Sequence, residues 1–246
     1  MFFSFSTCNN ICIGVTWSNP EPFYTNSGSF DRNRIIPTDK HDGVIFPCYN
    51  TSTNAGYSFL LRLSTPTSNW SRVDIPTSEN LVQPSIVRLN NSFKLRTFFR
   101  DRNASSIYYA DSSDDGLTWT TPKPTTLPNN NAGIQAYVLK NGAVIIAFNN
   151  HNGTKQPRTP LTVALSYDNG LTWPHHRDVQ LHDDDSEHVG EYSYPSILQS
   201  SWMPSDGNDI HLVYTYDRLT IKYVRFNENW IKQGLSTNFR SLQQSA

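Results

Sequence analysis

Charge is scarce in this sequence and neither sign prevails: 20 Lys and Arg face 21 Asp and Glu over 246 residues, a formal net charge of −1. With no basic block, the chain lacks the electrostatic footprint of a partner for nucleic acid or for an anionic membrane surface. No stretch stays apolar for the roughly 18 residues that a membrane-spanning helix needs, so no membrane span is expected. Cysteine is nearly absent. Cys8, Cys12 and Cys48 form an odd set without metal-ligand spacing, which excludes a disulfide-dense scaffold or a zinc module and leaves free thiols or one disulfide of unassigned pairing. The opening MFFSFSTCNNICIGV has no basic stretch and no small-residue cleavage site, so no signal peptide is read there. Sequons begin at Asn50, Asn69, Asn90, Asn103 and Asn152, a number that chance supplies in a chain this rich in Asn, Ser and Thr, so they do not set the compartment.

What the chain does have is aromatics, at 13%, and 15 prolines, a composition suited to many short strands and turns. It also repeats itself. SSDDGLTW at 112–119 returns as SYDNGLTW at 166–173. Each reads as a turn in which an Asp carboxylate accepts nearby backbone N–H groups, a Gly takes a positive φ, and Thr and Trp enter a strand. Trp17, Trp70, Trp119, Trp173 and Trp230 follow one another at intervals of 49 to 57 residues, with worn versions of the turn before the other three. Between them recur three short β-branched and aromatic segments, for example PSIV, FKLRTFF and SIYYADS, then IQAYVL, AVIIAF and LTVALSY. Several alternate with period two, and no long segment carries a helical period. Three or four antiparallel strands per unit of about 50 residues predict an all-β fold, a β-propeller of four-stranded blades. The organisation read from this is a single domain over 1–246 with about five blade units and a tail at 231–246.

Setting the units over one another on the turn after the first strand (Gly43, Ser92, Gly142) makes Arg34, Gln83 and Gly133 equivalent, and Tyr194 joins them when YPSIL is set over QPSIV. A second ring follows the second strand: Tyr49–Asn50, Arg100–Asp101–Arg102, Asn149–Asn150–His151 and Tyr216–Asp217–Arg218. Polar residues at blade-equivalent positions suit a sugar-binding funnel, and they equally suit solvated loop ends. The run HDDDSEH at 182–188 has metal-ligand residue types, but a solvated loop rim explains it as well, and no metal or cofactor is assigned.

S-x-D-x-G-x-T-W resembles the Asp-box of the sialidase superfamily. The strings RNRIIP, QPSIV, FFRDR, LPNNNAGIQA, AFNNH, GEYSYPSILQ and IKYVRF are similar to its predicted-neuraminidase branch. The resemblance implies a six-bladed type of propeller in which the Asp-boxes lie away from the ligand, so that Asp114 and Asp168 are structural. It implies a glycan substrate, a sialoglycoconjugate or other acidic polysaccharide, and a retaining hydrolysis. The family binds the sugar carboxylate with three arginines, since planar guanidinium groups engage it bidentately. Arg100 and Arg218 are the candidates here, with Arg34 or Arg32 third. A carboxylate nucleophile would be repelled by that substrate, so a tyrosine serves, aided by a glutamate. Tyr194 is assigned as nucleophile and Glu191 as its partner, with Gln83, Asn149, His151 and Tyr192 binding the sugar. An extracellular or vesicular location is implied by the substrate class alone.

The resemblance is incomplete. No position matches the family's first arginine or its aspartate acid/base, and the chain holds fewer than five complete units. The expectations are therefore an incomplete ring: a fragment of a longer enzyme, a short form that binds glycans without hydrolysis, or a ring completed by association. A uronate-polysaccharide lyase or hydrolase on the same propeller is the alternative enzyme.

Overall fold

The computed structural model describes residues 2–3, 19, 21–90, 92–153, 157–181, 190–200 and 208–234. Cys8, Cys12, Trp17 and the acidic run at 182–188 lie outside them. Strands β1 (Phe2–Phe3) and β2 (Glu21–Pro22) pair as a short ribbon. The first blade contains β3 (Ser29–Asp31), β4 (Ile36–Pro37), β5 (Val44–Asn50), β6 (Tyr57–Leu63) and β7 (Ser71–Asp74), with β3 and β4 sharing the inner edge of β5. The second is β8 (Leu81–Arg88), β9 (Leu95–Asp101), β10 (Ser106–Ser112) and β11 (Lys123–Pro128). The third is β12 (Gln135–Val138), β13 (Val144–Asn149), β14 (Leu161–Ser166) and β15 (His175–Gln180). The fourth has three strands among the described residues, β16 (Tyr192–Gln199), β17 (Ile210–Tyr216) and β18 (Thr220–Phe226), and is followed by helix α1 (Glu228–Lys232). Within each blade the strands run antiparallel in chain order, so the molecule is an all-β propeller of stacked meanders.

The blades are held by the apolar faces between them. Ile45 and Leu60 of the first meet Ile86, Leu95 and Phe99 of the second. Val87, Phe98 and Ile107 of the second meet Ile146, Phe148 and Ala164 of the third. Ile145, Val163 and Leu165 of the third meet Ile197, Leu212 and Tyr214 of the fourth.

The repeated turn has a defined place in this stack. Asp168 accepts hydrogen bonds from the backbone N–H groups of Leu171 and Thr172 and from the hydroxyls of Ser166 and Thr172. Burial opposes its ionisation, but these donors hold the carboxyl down at about 2. Gly170 (φ 87°) leaves no room for a side chain: a Cβ would stand 2.7 Å from Phe98 of the preceding blade. Trp173 packs its edge on the same Phe98, ring centres 5.8 Å apart. Gly116 likewise abuts Ile45 of the blade before it, and Trp119 is buried between those two blades. The turn is thus a wedge between neighbours, which is why Trp119 and Trp173 stand at the same place in the second and third blades.

The outlying tryptophans depart from that pattern. Trp70 packs with Phe23 on the outer face of the first blade, where Phe46, Cys48, Phe59 and Leu61 form a separate cluster. Cys48 is a buried thiol there, pushed up to about 12 by burial. Trp230, counted with the repeat in the sequence, sits in α1 with its ring over Arg177 (4.1 Å), and no Asp-box turn precedes it. The outer face of the fourth blade carries Leu198, Val213, Ile221 and Tyr223 exposed.

Candidate active site

The inner strands set the floor. In β8 the pairing with β9 slips between Val82 and Ser85, and in β16 the pairing with β17 slips between Ser193 and Ser196. The residues at the two bulges, Gln83 (φ 54°) and Tyr194 (φ 53°), both hold left-handed backbone and both precede Pro. A non-glycine residue in that region carries strain, which bulges near functional sites store to redirect a side chain. The match of YPSIL to QPSIV is therefore structural.

The first blade reaches the same level through a different residue. Between Asp31↔Cys48 and Ile36↔Ile45 its inner edge slips by two positions, where the other two slip by one. Asp31, Val82 and Ser193 are the last residues paired before the slip, so Arg32, and not Arg34, is equivalent to Gln83 and Tyr194. This corrects the placement of Arg34. Its exposed guanidinium lies over Tyr137 (4.9 Å) in a cleft of about 340 Å³ at the opposite end of the inner strands, with Arg88 and Gly142.

Arg32 crosses the centre of the molecule. It donates to Ile134 O of the segment entering the third blade (2.6 Å), to Pro195 O of the fourth (3.0 Å) and to Asn33 Oδ1 (2.8 Å). Asn33 in turn donates to Gln83 O (2.9 Å) in the second blade. Burial lowers the Arg32 pKa to about 10, with the positive charges of Arg100 and Arg158 adding to the effect and Tyr194 and Tyr49 opposing it.

Above this floor stands Tyr194, 46% exposed. The guanidinium carbons of Arg158 and Arg32 lie 5.2 and 5.4 Å from its ring centre. Arg100 is held by Asn131 Oδ1 (2.8 Å) and Gln83 Oε1 (3.3 Å), and burial together with Arg158 lowers its pKa. For the Tyr194 phenol, burial works upward, but hydrogen bonding and charge from Arg158, and then from Arg100, outweigh it. The phenol is more acidic than an ordinary tyrosine.

Glu191 enters differently from the expectation. Its carboxylate is bound by Arg218 (2.7 Å) and Arg158 (3.4 Å), and among the described residues no hydrogen bond joins it to the phenol. Its backbone is clamped to Asp217, which accepts from the Glu191 N–H (2.6 Å) and donates its own N–H to the Glu191 carbonyl (2.8 Å). Arg218, expected as a carboxylate binder equivalent to Arg100, lies on the solvent rim of that clamp, 74% exposed.

Two other expected contacts are buried. Tyr192 is 1% exposed, stacked on Tyr216 at 5.2 Å, and is a core residue. Asn149 is 0% exposed, with its amide on backbone carbonyls. His151 is on the loop after β13, its backbone N–H on Asn149 O (2.9 Å). Arg158 and Asn131 were not read from the sequence. Arg158 has no blade equivalent, and its only signal is an Arg between two prolines, PRTP, in the loop joining the second and third strands of the third blade. The gathered site is Tyr194, Arg32, Arg100 and Arg158, with Gln83, Asn131 and Glu191 around them. Among the described residues no group of His, Cys, Asp or Glu could hold a metal ion.

The family model for the BNR repeat-like domain matches residues 13–211. Among solved structures, the fold is similar to the NanB sialidase of Streptococcus pneumoniae (TM-score 0.67, 18% identity, 89% of this chain and 35% of that one). It is also similar to the intramolecular trans-sialidase of Ruminococcus gnavus (0.63, 18%, 89% and 49%). The GH43_1 enzyme of Xanthomonas citri, solved with xylose, matches at 0.59 and 13% identity, over 84% of this chain and 72% of that one. The chain thus spans about a third to a half of the length of the sialidases it matches. No curated protein matches it.

Proposed function

The chain belongs to the family of the BNR repeat-like domain, and on that premise we propose that it is a sialidase-like glycoside hydrolase acting on a terminal acidic sugar. The observation that carries this reading is one tyrosine, half-exposed and acidified, with three guanidinium groups about it and no carboxylate on its phenol among the described residues. A sugar whose anomeric carbon bears a carboxylate meets attraction here, and the nucleophile is neutral until it reacts. In this reading Arg100 and Arg158 bind that carboxylate. Arg32, held by backbone carbonyls, adds its field and fixes the floor.

The chemistry follows from these contacts. As it reacts, the phenol releases its proton to solvent, and Arg158 and Arg100 stabilise the negative charge that develops on its oxygen. Its oxygen attacks the anomeric carbon, the bond to the aglycone oxygen breaks, and a tyrosyl glycoside forms. Water then displaces the tyrosine and restores it. Glu191 acts on Arg158, whose guanidinium it anchors, in place of accepting the proton directly. An aryl leaving group departs as a stabilised anion and needs no acid, so an aryl sialoside tests this site without an added requirement. The chain is expected to release a fluorogenic phenol from an aryl sialoside and not from the corresponding neutral aryl galactoside. Release from both alike, or from neither, would count against the proposal.

A second reading uses the same groups. In a uronate polysaccharide the arginines would neutralise the carboxylate while the phenolate removes the adjacent C–H proton, and the sugar bond breaks by elimination. The tie of Glu191 to arginines, leaving the phenolate as base, favours it. An unsaturated product distinguishes it from hydrolysis.

A further inference from the structure

Three blades end their second strand on a buried Asx side chain: Asn50, Asp101 and Asn149. Two of them brace their own neighbourhood. Asn50 accepts from Ser52 N–H and donates to Ser27 O, at the entry to the adjoining β3. Asp101 accepts from the N–H groups of Asn103 and Ser105 and from the Ser105 hydroxyl. Such local closures are the usual role of Asx residues at strand ends.

Asn149 reaches into the next blade. Its Nδ2 donates to Arg158 O (2.7 Å) and to Tyr192 O (3.0 Å), with Pro160 O further out at 3.4 Å. Tyr192 closes the triangle by donating its own N–H to Arg158 O (3.0 Å). Tyr192 starts β16 two residues before Tyr194, and Arg158 carries the guanidinium beside the Tyr194 ring. One carboxamide therefore joins the backbones that bear the phenol and its nearest cation. Its Oδ1 has no partner among the described residues, so the side chain serves through its donor end. Asn130 steadies the other side, donating to Pro157 O (3.0 Å) next to Arg158.

We infer that Asn149 is a positioning residue, which fixes Arg158 against Tyr194 by binding the backbone of Arg158 and that of Tyr192, two residues before the phenol. This rests on the reading of Tyr194 and Arg158 as the working groups, but its physical content stands apart from any turnover. A phenol held beside a guanidinium titrates lower than one from which that guanidinium has been released. Loosening Arg158 should therefore move the titration of Tyr194 while leaving the other tyrosines in place.

The test is an NMR titration of the chain carrying tyrosine labelled at the phenolic carbon, with the Tyr194 signal assigned by its loss in Tyr194→Phe. Arg158→Gln, which removes the cation, is expected to shift the Tyr194 titration to higher pH. Asn149→Ala is expected to shift it in the same direction, as Arg158 loses its anchor. Asn149→Ser keeps a donor in less volume and is the variant to use should the Ala form not fold; it is expected to give a smaller shift of the same sign. Folded Asn149 variants that titrate at the wild-type pH would overturn the inference. So would an unmoved Tyr194 in Arg158→Gln, since the contact being positioned would then not exist. Absence of sialoside hydrolysis with the shifts intact would defeat the enzymatic reading and leave the positioning role standing.

Discussion

Tyr194→Phe is expected to lower kcat for an aryl sialoside by about three orders of magnitude or more, the scale on which loss of a covalent nucleophile is felt. The substitution removes one oxygen from a side chain that is 46% exposed. Among the described residues, that oxygen bonds only the site's own arginines. Stability should therefore stay within about 0.5 kcal/mol of wild type, as for an exposed residue. Arg100 and Arg158 remain to bind the carboxylate, so the sugar should still bind the variant. Steady-state kinetics with a binding titration of the free acidic sugar separate the two effects. Loss of binding and turnover together would mean that Tyr194 is part of the recognition surface and not the nucleophile.

The largest expected effect on stability belongs to Arg32→Ala. Arg32 is the bolt between non-adjacent parts of the ring, donating to Ile134 O, Pro195 O and Asn33 Oδ1. Removing it leaves those acceptors facing a cavity, at a cost of about 1–3 kcal/mol for each that finds no new partner. One term opposes this. Arg32 is a buried cation beside Arg100 and Arg158, and its pKa, lowered to about 10, reflects an environment that disfavours the charge. The balance is a loss of about 2–4 kcal/mol. Arg32→Lys should recover little of it, because an ammonium on one stem cannot span two carbonyls on separate blades as a planar fork does. Urea unfolding midpoints measure both. An Arg32→Ala protein as stable as wild type would show that the four blades stand on their apolar faces alone.

The scaffold was legible because its signals are local. The turn D-x-G-x-T-W sets its own hydrogen bonds, and Trp119 and Trp173 must reach the previous blade. Trp70 and Trp230 keep the interval and lose the role, since one lies on an outer face and the other follows the last strand of the fourth blade. The site was legible where it sits on strands of equal register, as Gln83 and Tyr194 do. Counting back from the turn at Gly43 selects Arg34, because nothing in the letters RNRIIP announces that the first blade slips by two positions where the others slip by one. Arg158 escaped because loops between second and third strands differ in length from blade to blade. Asn149 was read as a sugar contact since a polar residue at a strand end looks solvated, and only packing reveals that it faces backbone carbonyls inside the protein.

The most direct test of the central claim is to trap the tyrosyl glycoside. A sialosyl fluoride bearing a second fluorine next to the anomeric carbon supplies a leaving group that needs no acid, and it slows the hydrolysis of the adduct by destabilising the cationic transition state. The chain is then digested with trypsin and the peptide Asp178–Arg218 sequenced by fragment-ion mass spectrometry. The account predicts one added sugar, placed on Tyr194 and not on Tyr192, Tyr214 or Tyr216, and absent from Tyr194→Phe. An unmodified peptide, or a sugar on any other residue, would contradict it.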